Sequence, residues 1–190
     1  MPADPLLSFA VSICGLDEIV LHAGTGVTHA LSILDPEWPD PSVFSVFTGC
    51  RREVFRFHDL IDDEDGMVAP ASADIRGLLA FGGRLREQAV GHLLIHCHAG
   101  VSRSTASAAI LLAQFQPGRE SDAFVELARL RPWSWPNSRM VELADALLGR
   151  QGRLVAALRA HHARMIEAWP DKVELIREGP RARDFRFAAG

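Results

Sequence analysis

Residues 96 to 105 read His96-Cys97-His98-Ala99-Gly100-Val101-Ser102-Arg103-Ser104-Thr105, directly after the apolar run Leu93-Leu94-Ile95. A run rich in small residues, Thr105 to Ala113, leaves this stretch with helical character. Strand, tight loop and helix in that order predict an α/β fold with a ligand site at the carboxyl end of the strand. In such a turn the loop N–H groups and the helix N-terminus converge and present partial positive charge. The stretch therefore predicts a fold element and an anion site together.

The residue types within it specify the chemistry. A helix N-terminus and a neighbouring cation lower a cysteine from its free value of ~8.5 by several units, so a nucleophilic thiolate is expected at Cys97. Arg103 offers a planar fork of donors that grips two oxygens of a tetrahedral oxyanion. Gly100 lets the loop turn through backbone angles closed to other residues. The Ser104 hydroxyl is placed to hydrogen-bond the sulfur as it leaves. His98, Ala99, Gly100, Val101, Ser102 and Arg103 are the expected substrate-binding residues. Thiolate plus phosphate cradle implies phosphoryl transfer through a phosphocysteine. A lone cysteine would read as inert and buried, but Cys, Gly, Arg and Ser at these spacings do not. His96 is expected to orient the loop by hydrogen bonding, and His98 to contribute its backbone N–H. A metal site at the His-Cys-His triplet is disfavoured, because adjacent residues do not readily close a tetrahedral site.

The stretch resembles the Cys-x5-Arg signature of the cysteine-dependent protein tyrosine and dual-specificity phosphatases. The fuller pattern, His-Cys-x-x-Gly-x-x-Arg-Ser, is matched at every fixed position. Arg56-Phe57-His58-Asp59 resembles the strand-then-Asp element that supplies the general acid in the dual-specificity group. Arg131-Pro132-Trp133-Ser134-Trp135-Pro136-Asn137 resembles the Arg-Pro…Pro-Asn element that begins a late helix beside the phosphate loop. Residues 53 to 150 are similar to a compact bacterial branch of the superfamily, whereas the segments before 51 and after 160 carry little of the likeness. The resemblance implies Cys97, Arg103, Asp59 and Ser104 as catalytic residues, with no metal or organic cofactor. Asp59 lies 38 residues before Cys97, more than compact members usually have. The extra residues fall in Asp62 to Pro70, so Asp62 and Asp63 stay open as alternative acids.

The tyrosine-specific branch carries its acid in a Trp-Pro-Asp loop, and that tripeptide occurs here twice. Trp38-Pro39-Asp40 lies too far upstream, and Trp169-Pro170-Asp171 follows the cysteine and ends a long helix. Both read as coincidences. The chain has no tyrosine and no evident phosphotyrosine-recognition loop, which favours the compact dual-specificity type.

At 190 residues and 48% hydrophobic, the chain suffices for one substantial core. A net charge of −4 argues against general nucleic-acid binding. Cys14, Cys50 and Cys97 suggest no disulfide framework, and a working thiol suits the reducing cytoplasm. The Leu6 to Leu16 run is too short to span a membrane and lacks a basic flank, so no membrane association is expected. Residues 1–176 read as one catalytic domain and 177–190 as a basic tail.

Strands are expected at Ser8 to Cys14, His29 to Leu34, Val54 to Phe57 and His92 to His96, in a central, mostly parallel sheet flanked by helices. A short helix is expected at Asp17 to Leu21. Longer ones are expected at Ser72 to Gln88 with Ser72 as N-cap, Ser104 to Gln114, Glu120 to Leu130, Asn137 to Leu148 and Leu154 to Trp169. Asn137 reads as an N-cap that, by the resemblance, also fixes the phosphate-loop backbone. His161 and His162 read as solvated. The tail carries Arg177, Arg181, Arg183 and Arg186 with Phe185 and Phe187. It is open to docking, to guiding an acidic substrate or to fraying, the last being the simplest.

The expected function is phosphomonoester hydrolysis on a phosphorylated substrate, a phosphoprotein foremost. The alternatives are a non-catalytic phosphate reader, a phosphatase for a non-protein ester, and a rhodanese-type sulfurtransferase. Rhodanese loops are typically shorter. The variable loop positions also lack the lysine expected of a phosphoinositide phosphatase.

Overall fold

A computed structural model describes residues 7–178 and 181–189, so the expectation placed on Leu6 lies outside the described residues. Its centre is a four-stranded sheet of β1 (Ala10–Cys14), β2 (His29–Leu34), β3 (Arg51–Arg56) and β4 (His92–His96), in the order β1-β4-β2-β3. All three pairings are parallel, so the carboxyl ends of the strands share one edge. β2 and β4 are interior strands and every residue of both is buried. That explains their near-continuous apolar sequence, since an interior parallel strand is covered on both faces.

Alternate residues go to different faces. Ile13, Leu31, Ile33, Leu93 and Ile95 join the main core with α1 (Ser72–Glu87), α2 (Arg103–Phe115), α3 (Glu120–Leu130), α4 (Ser138–Leu147) and α5 (Arg153–Ala168). Cys14 and Leu94 face the other way, under Ile19 and Phe47. These come from or adjoin two 3₁₀ turns, Leu16–His22 and Ser42–Val46. Helix α2 is buried along Arg103 to Ala113. Its alanines and serines let it sit at the centre, with α1, α3 and α4 packed around it. The fold class is therefore the one expected, with an all-parallel sheet.

Several local expectations are revised. Ser72 is the first helical residue rather than the cap, and the Asp74 carboxylate accepts the Ala71 N–H at 2.8 Å. β3 begins earlier than expected because it pairs along the whole of β2. α5 ends at Ala168, just before Pro170 as expected, but Pro170 also opens a further helix. It occupies the first turn of α6 (Pro170–Arg177), where its missing N–H costs nothing. α7 (Ala182–Ala189) follows, so the boundary expected at 176/177 falls inside α6. Arg181 and Asp184 are buried, so this segment is packed rather than frayed. The side chains of Arg186 and Phe187 lie outside the description. Among the described residues no helix is long and apolar enough to cross a membrane.

Candidate active site

The loop from Cys97 to Ser102 leaves β4 at the carboxyl edge of the sheet and enters α2 at Arg103. Its carbonyls are all taken by protein donors. His96 Nδ1 meets the Cys97 carbonyl at 3.4 Å, and the Leu16 N–H reaches that of His98 at 2.8 Å. Arg131 donates to Ala99 at 3.4 Å and to Gly100 at 3.1 Å. The Trp135 N–H serves Val101 at 2.8 Å, and Thr105 Oγ1 serves Ser102 at 2.8 Å. The N–H groups of His98 to Ser102 donate to no protein acceptor among the described residues. A backbone with its carbonyls tied back and its amides free is an anion nest.

Gly100 is required there. Its φ is +70°, and a Cβ would lie 2.5 Å from the Cys14 carbonyl carbon and the Gly15 nitrogen. Both contacts are backbone, so nothing yields. Gly100→Ala is expected to cost more than ~1 kcal/mol of stability and at least ~100-fold in kcat/KM through misplacement of the loop. Thermal melts and steady-state kinetics test this, and wild-type values in both would show that the close approach does not matter.

Cys97 is buried in the cradle, with Sγ 3.2 Å from Ser104 Oγ. Arg103 is held from behind. Its Nη1 donates to Asp35 Oδ1 at 2.6 Å and to the Phe57 carbonyl at 2.5 Å, while its buried Nε has no partner among the described residues. A buried donor of this kind calls for an acceptor, which an oxyanion could supply. Asp35 follows β2 at the same edge of the sheet and was not singled out from the sequence. The signal was available: it is the first polar residue beyond a fully buried strand, at the end where ligands sit.

The histidines divide their roles. His96 is buried, and burial pushes its ring down to about 4, so it is neutral. Arg52 Nε donates to Ser32 Oγ at 2.7 Å, and Ser32 Oγ lies 2.6 Å from His96 Nε2. The assignment that satisfies all three groups has Ser32 donating to Nε2 and the ring proton on Nδ1, toward the Cys97 carbonyl. His98 accepts the Asp35 N–H on Nε2 at 3.3 Å and packs on Trp38 with ring centroids 4.6 Å apart. Burial lowers its pKa, against the pull of Asp35. In Trp38-Pro39-Asp40 the Asp40 carboxylate is exposed and pairs with Arg56 at 2.7 Å.

Asp59 lies in the same cleft as Cys97 and Arg103. Its Oδ1 accepts Ser102 Oγ at 2.6 Å and Asn137 Nδ2 at 2.9 Å, with Arg181 Nη1 at 3.8 Å. Burial opposes its charge. Arg181, then Arg103, and the two hydrogen bonds outweigh that and hold the carboxyl below its usual value. Asp62 and Asp63 point elsewhere, to Arg183 at 3.2 Å and Arg139 at 2.8 Å, and both are exposed. Asn137 caps α4 through Oδ1, which accepts the Met140 N–H. Its amide holds Asp59 and the Leu60 carbonyl rather than the phosphate-loop backbone.

Behind the loop lies support whose partners the sequence did not reveal. Arg131 also pairs with Glu18 at 2.9 Å, and Glu18 accepts the Gly15 N–H at 2.6 Å, closing a clamp around the loop. His161 and His162 are fully buried, contrary to expectation. His161 Nε2 meets Ser134 Oγ at 3.0 Å, and His162 stacks on Trp135 with centroids 4.0 Å apart. Burial drives His161 to about 4 and His162 well below its usual value, so both brace the Ser134–Trp135 segment as neutral rings. The cleft, of about 480 Å³, is also lined by Trp133, Lys172, Ile176 and Arg181.

No protein-family model matches the chain, and no curated protein matches it. Solved structures do. DUSP15 aligns with a TM-score of 0.58 at 18% identity, covering 84% of this chain and 94% of that one. A human tyrosine phosphatase-like serine/threonine/tyrosine-interacting protein aligns with a TM-score of 0.56 at 18% identity, covering 77% and 95%. Human DUSP28 gives 0.54 at 17%, covering 74% and 94%. The chain has the fold of the cysteine-dependent dual-specificity phosphatases.

Proposed function

We propose that this protein is a cysteine-dependent phosphatase that hydrolyses phosphomonoesters, with phosphorylated tyrosine, serine or threonine in proteins as its substrate class. The observation that carries the reading is the cradle. Five successive loop amides lack acceptors among the described residues, beside a buried Arg103 Nε that also lacks one, and Cys97 lies in the same cleft. The apolar walls at Val101, Trp133 and Ile176 suit an aryl ester.

In the first step Cys97 Sγ forms a bond to phosphorus as the bond to the leaving oxygen breaks. Arg103 and the loop amides hold the non-bridging oxygens. Asp59 gives the leaving oxygen its proton. In the second step water attacks phosphorus, Asp59 accepts its proton, and the sulfur departs with Ser104 Oγ placed to hydrogen-bond it. Every proton and electron pair comes from the chain, the ester or water. The reaction needs reduced Cys97, which fits the cytoplasm.

Phosphate release from para-nitrophenyl phosphate and from a phosphotyrosine peptide is expected, with no sulfur transfer from thiosulfate to cyanide. Peptide binding with no release from either ester would make the chain a phosphate reader. Sulfur transfer would make it a rhodanese-type enzyme.

A further inference from the structure

Arg181 belongs to the segment that the sequence left as a tail, yet it is buried and lines the cleft with Cys97 and Asp59. Its Nη1 donates to Ser102 Oγ and to the Trp135 carbonyl at 3.2 Å. Its Nη2 donates to the Pro136 carbonyl at 3.1 Å and to Asp184. All four terminal protons are thus engaged by protein, which fixes the guanidinium against Ser102, and its buried Nε has no partner among the described residues. Arginine only donates, so Ser102 Oγ accepts from it and donates its own O–H to Asp59 Oδ1. With Ser102 and Asn137 both on Oδ1, the other oxygen, Oδ2, is left to carry the proton.

The segment is anchored on both sides. Fully buried Asp184 balances Arg181 and accepts Ser138 Oγ at the start of α4, where a carboxylate is favoured. Arg183 donates to the Ile61 carbonyl at 2.8 Å and meets Asp62 at 3.2 Å, gripping the acid loop just beyond Asp59.

We propose that residues 181–184 are a working part of the active site, in which Arg181 is a positioning residue that sets the orientation and ionisation of Asp59 through Ser102. The proposal rests on the phosphatase reading of Asp59. The charged and titratable groups that act on Asp59 or line the cleft with it are Arg103 from α2, Cys97 and His98 from the phosphate loop, Lys172 from α6, and Arg181. Of the two cations from the C-terminal part, Arg181 is the one that acts on the Asp59 carboxyl and lies 3.8 Å from it. A cation this close favours the carboxylate, so removing it raises the acid's pKa.

The test is the kcat–pH profile of the full chain with para-nitrophenyl phosphate. Arg181→Met is expected to lower kcat ~10- to 100-fold and to move the basic limb up by about one pH unit. Arg181→Lys keeps the charge, so kcat falls while the limb stays. Ser102→Ala leaves the Arg181–Asp184 pair intact and breaks only the relay. It keeps the proposal testable if Arg181→Met does not fold, and its limb is expected to move up as well. In an Asp59→Asn background Arg181→Met has no limb to move. Folded Arg181→Met with a wild-type profile, or with a fall in kcat but no limb shift, would overturn the proposal and leave the phosphatase intact, as would an unmoved limb in Ser102→Ala. A basic limb that survives Asp59→Asn would instead overturn the acid assignment on which it rests.

Discussion

Cys97→Ser protein is expected to release no measurable phosphate from para-nitrophenyl phosphate while still binding phosphate and phosphotyrosine peptides. A serine hydroxyl stays protonated at neutral pH and is a far poorer nucleophile than a thiolate. The cradle does not depend on the sulfur for its shape. The loop carbonyls are held by His96, Leu16, Arg131, Trp135 and Thr105, and Arg103 is held by Asp35 and the Phe57 carbonyl. The substitution replaces a buried sulfur by a smaller hydroxyl that still meets Ser104. Binding and turnover should therefore separate cleanly. Calorimetric titration with the peptide measures the first and phosphate release the second. Substantial turnover by the purified variant would end the phosphocysteine mechanism. Loss of peptide binding in a protein that melts normally would place the anion site elsewhere.

How much of this was visible in the sequence follows from how local each element is. The gathering of Cys97 and Arg103 at one turn was legible because strand, turn, thiol and arginine occupy adjacent residues. The placement of Asp59 in the same cleft was legible because it closely follows a strand. The parts that support them were not, because they arrive from far along the chain. Asp35 meets Arg103 across 68 residues, Arg131 meets Glu18 across 113, and Arg181 meets Ser102 across 79. No local pattern encodes such pairs, and a lone arginine in a polar terminus reads as solvated. One signal was present and misread. Leu154, Ala157, Leu158, His161, His162 and Met165 recur at helical spacing and are the buried stripe of α5, which includes the two histidines. The Pro170 that follows α5 also opens α6, because proline is favoured in a first turn.

Asp59→Asn is expected to lose ~10²–10⁴ in kcat on esters with poor leaving groups and less on an activated aryl phosphate, whose leaving oxygen needs little help. Its pH behaviour is the more telling result. In the free protein Arg181 and Arg103 hold the Asp59 carboxyl below its usual value, so at neutral pH it is ionised. An acid must be protonated to act. A phosphoryl group entering the cradle brings negative charge against Arg103 and beside Asp59, which offsets the cationic field and raises the carboxyl's pKa. The protonated acid therefore forms in the complex. The sign follows: activity that needs protonated Asp59 is present at lower pH and is lost as pH rises through its pKa in the complex. That loss is the basic limb of kcat, because kcat reports groups in the complex. In kcat/KM, which reports the free protein, the corresponding loss begins at lower pH. Asp59→Asn should flatten both, and the acidic limb should stay. Asp62→Asn and Asp63→Asn serve as controls, because these carboxylates face Arg183 and Arg139 and are exposed. Neither change should alter the profile. A wild-type profile in Asp59→Asn together with a lost basic limb in either control would move the acid into the inserted loop. It would also leave the hydrogen bonds from Ser102 and Asn137 to Asp59 as structural ties alone.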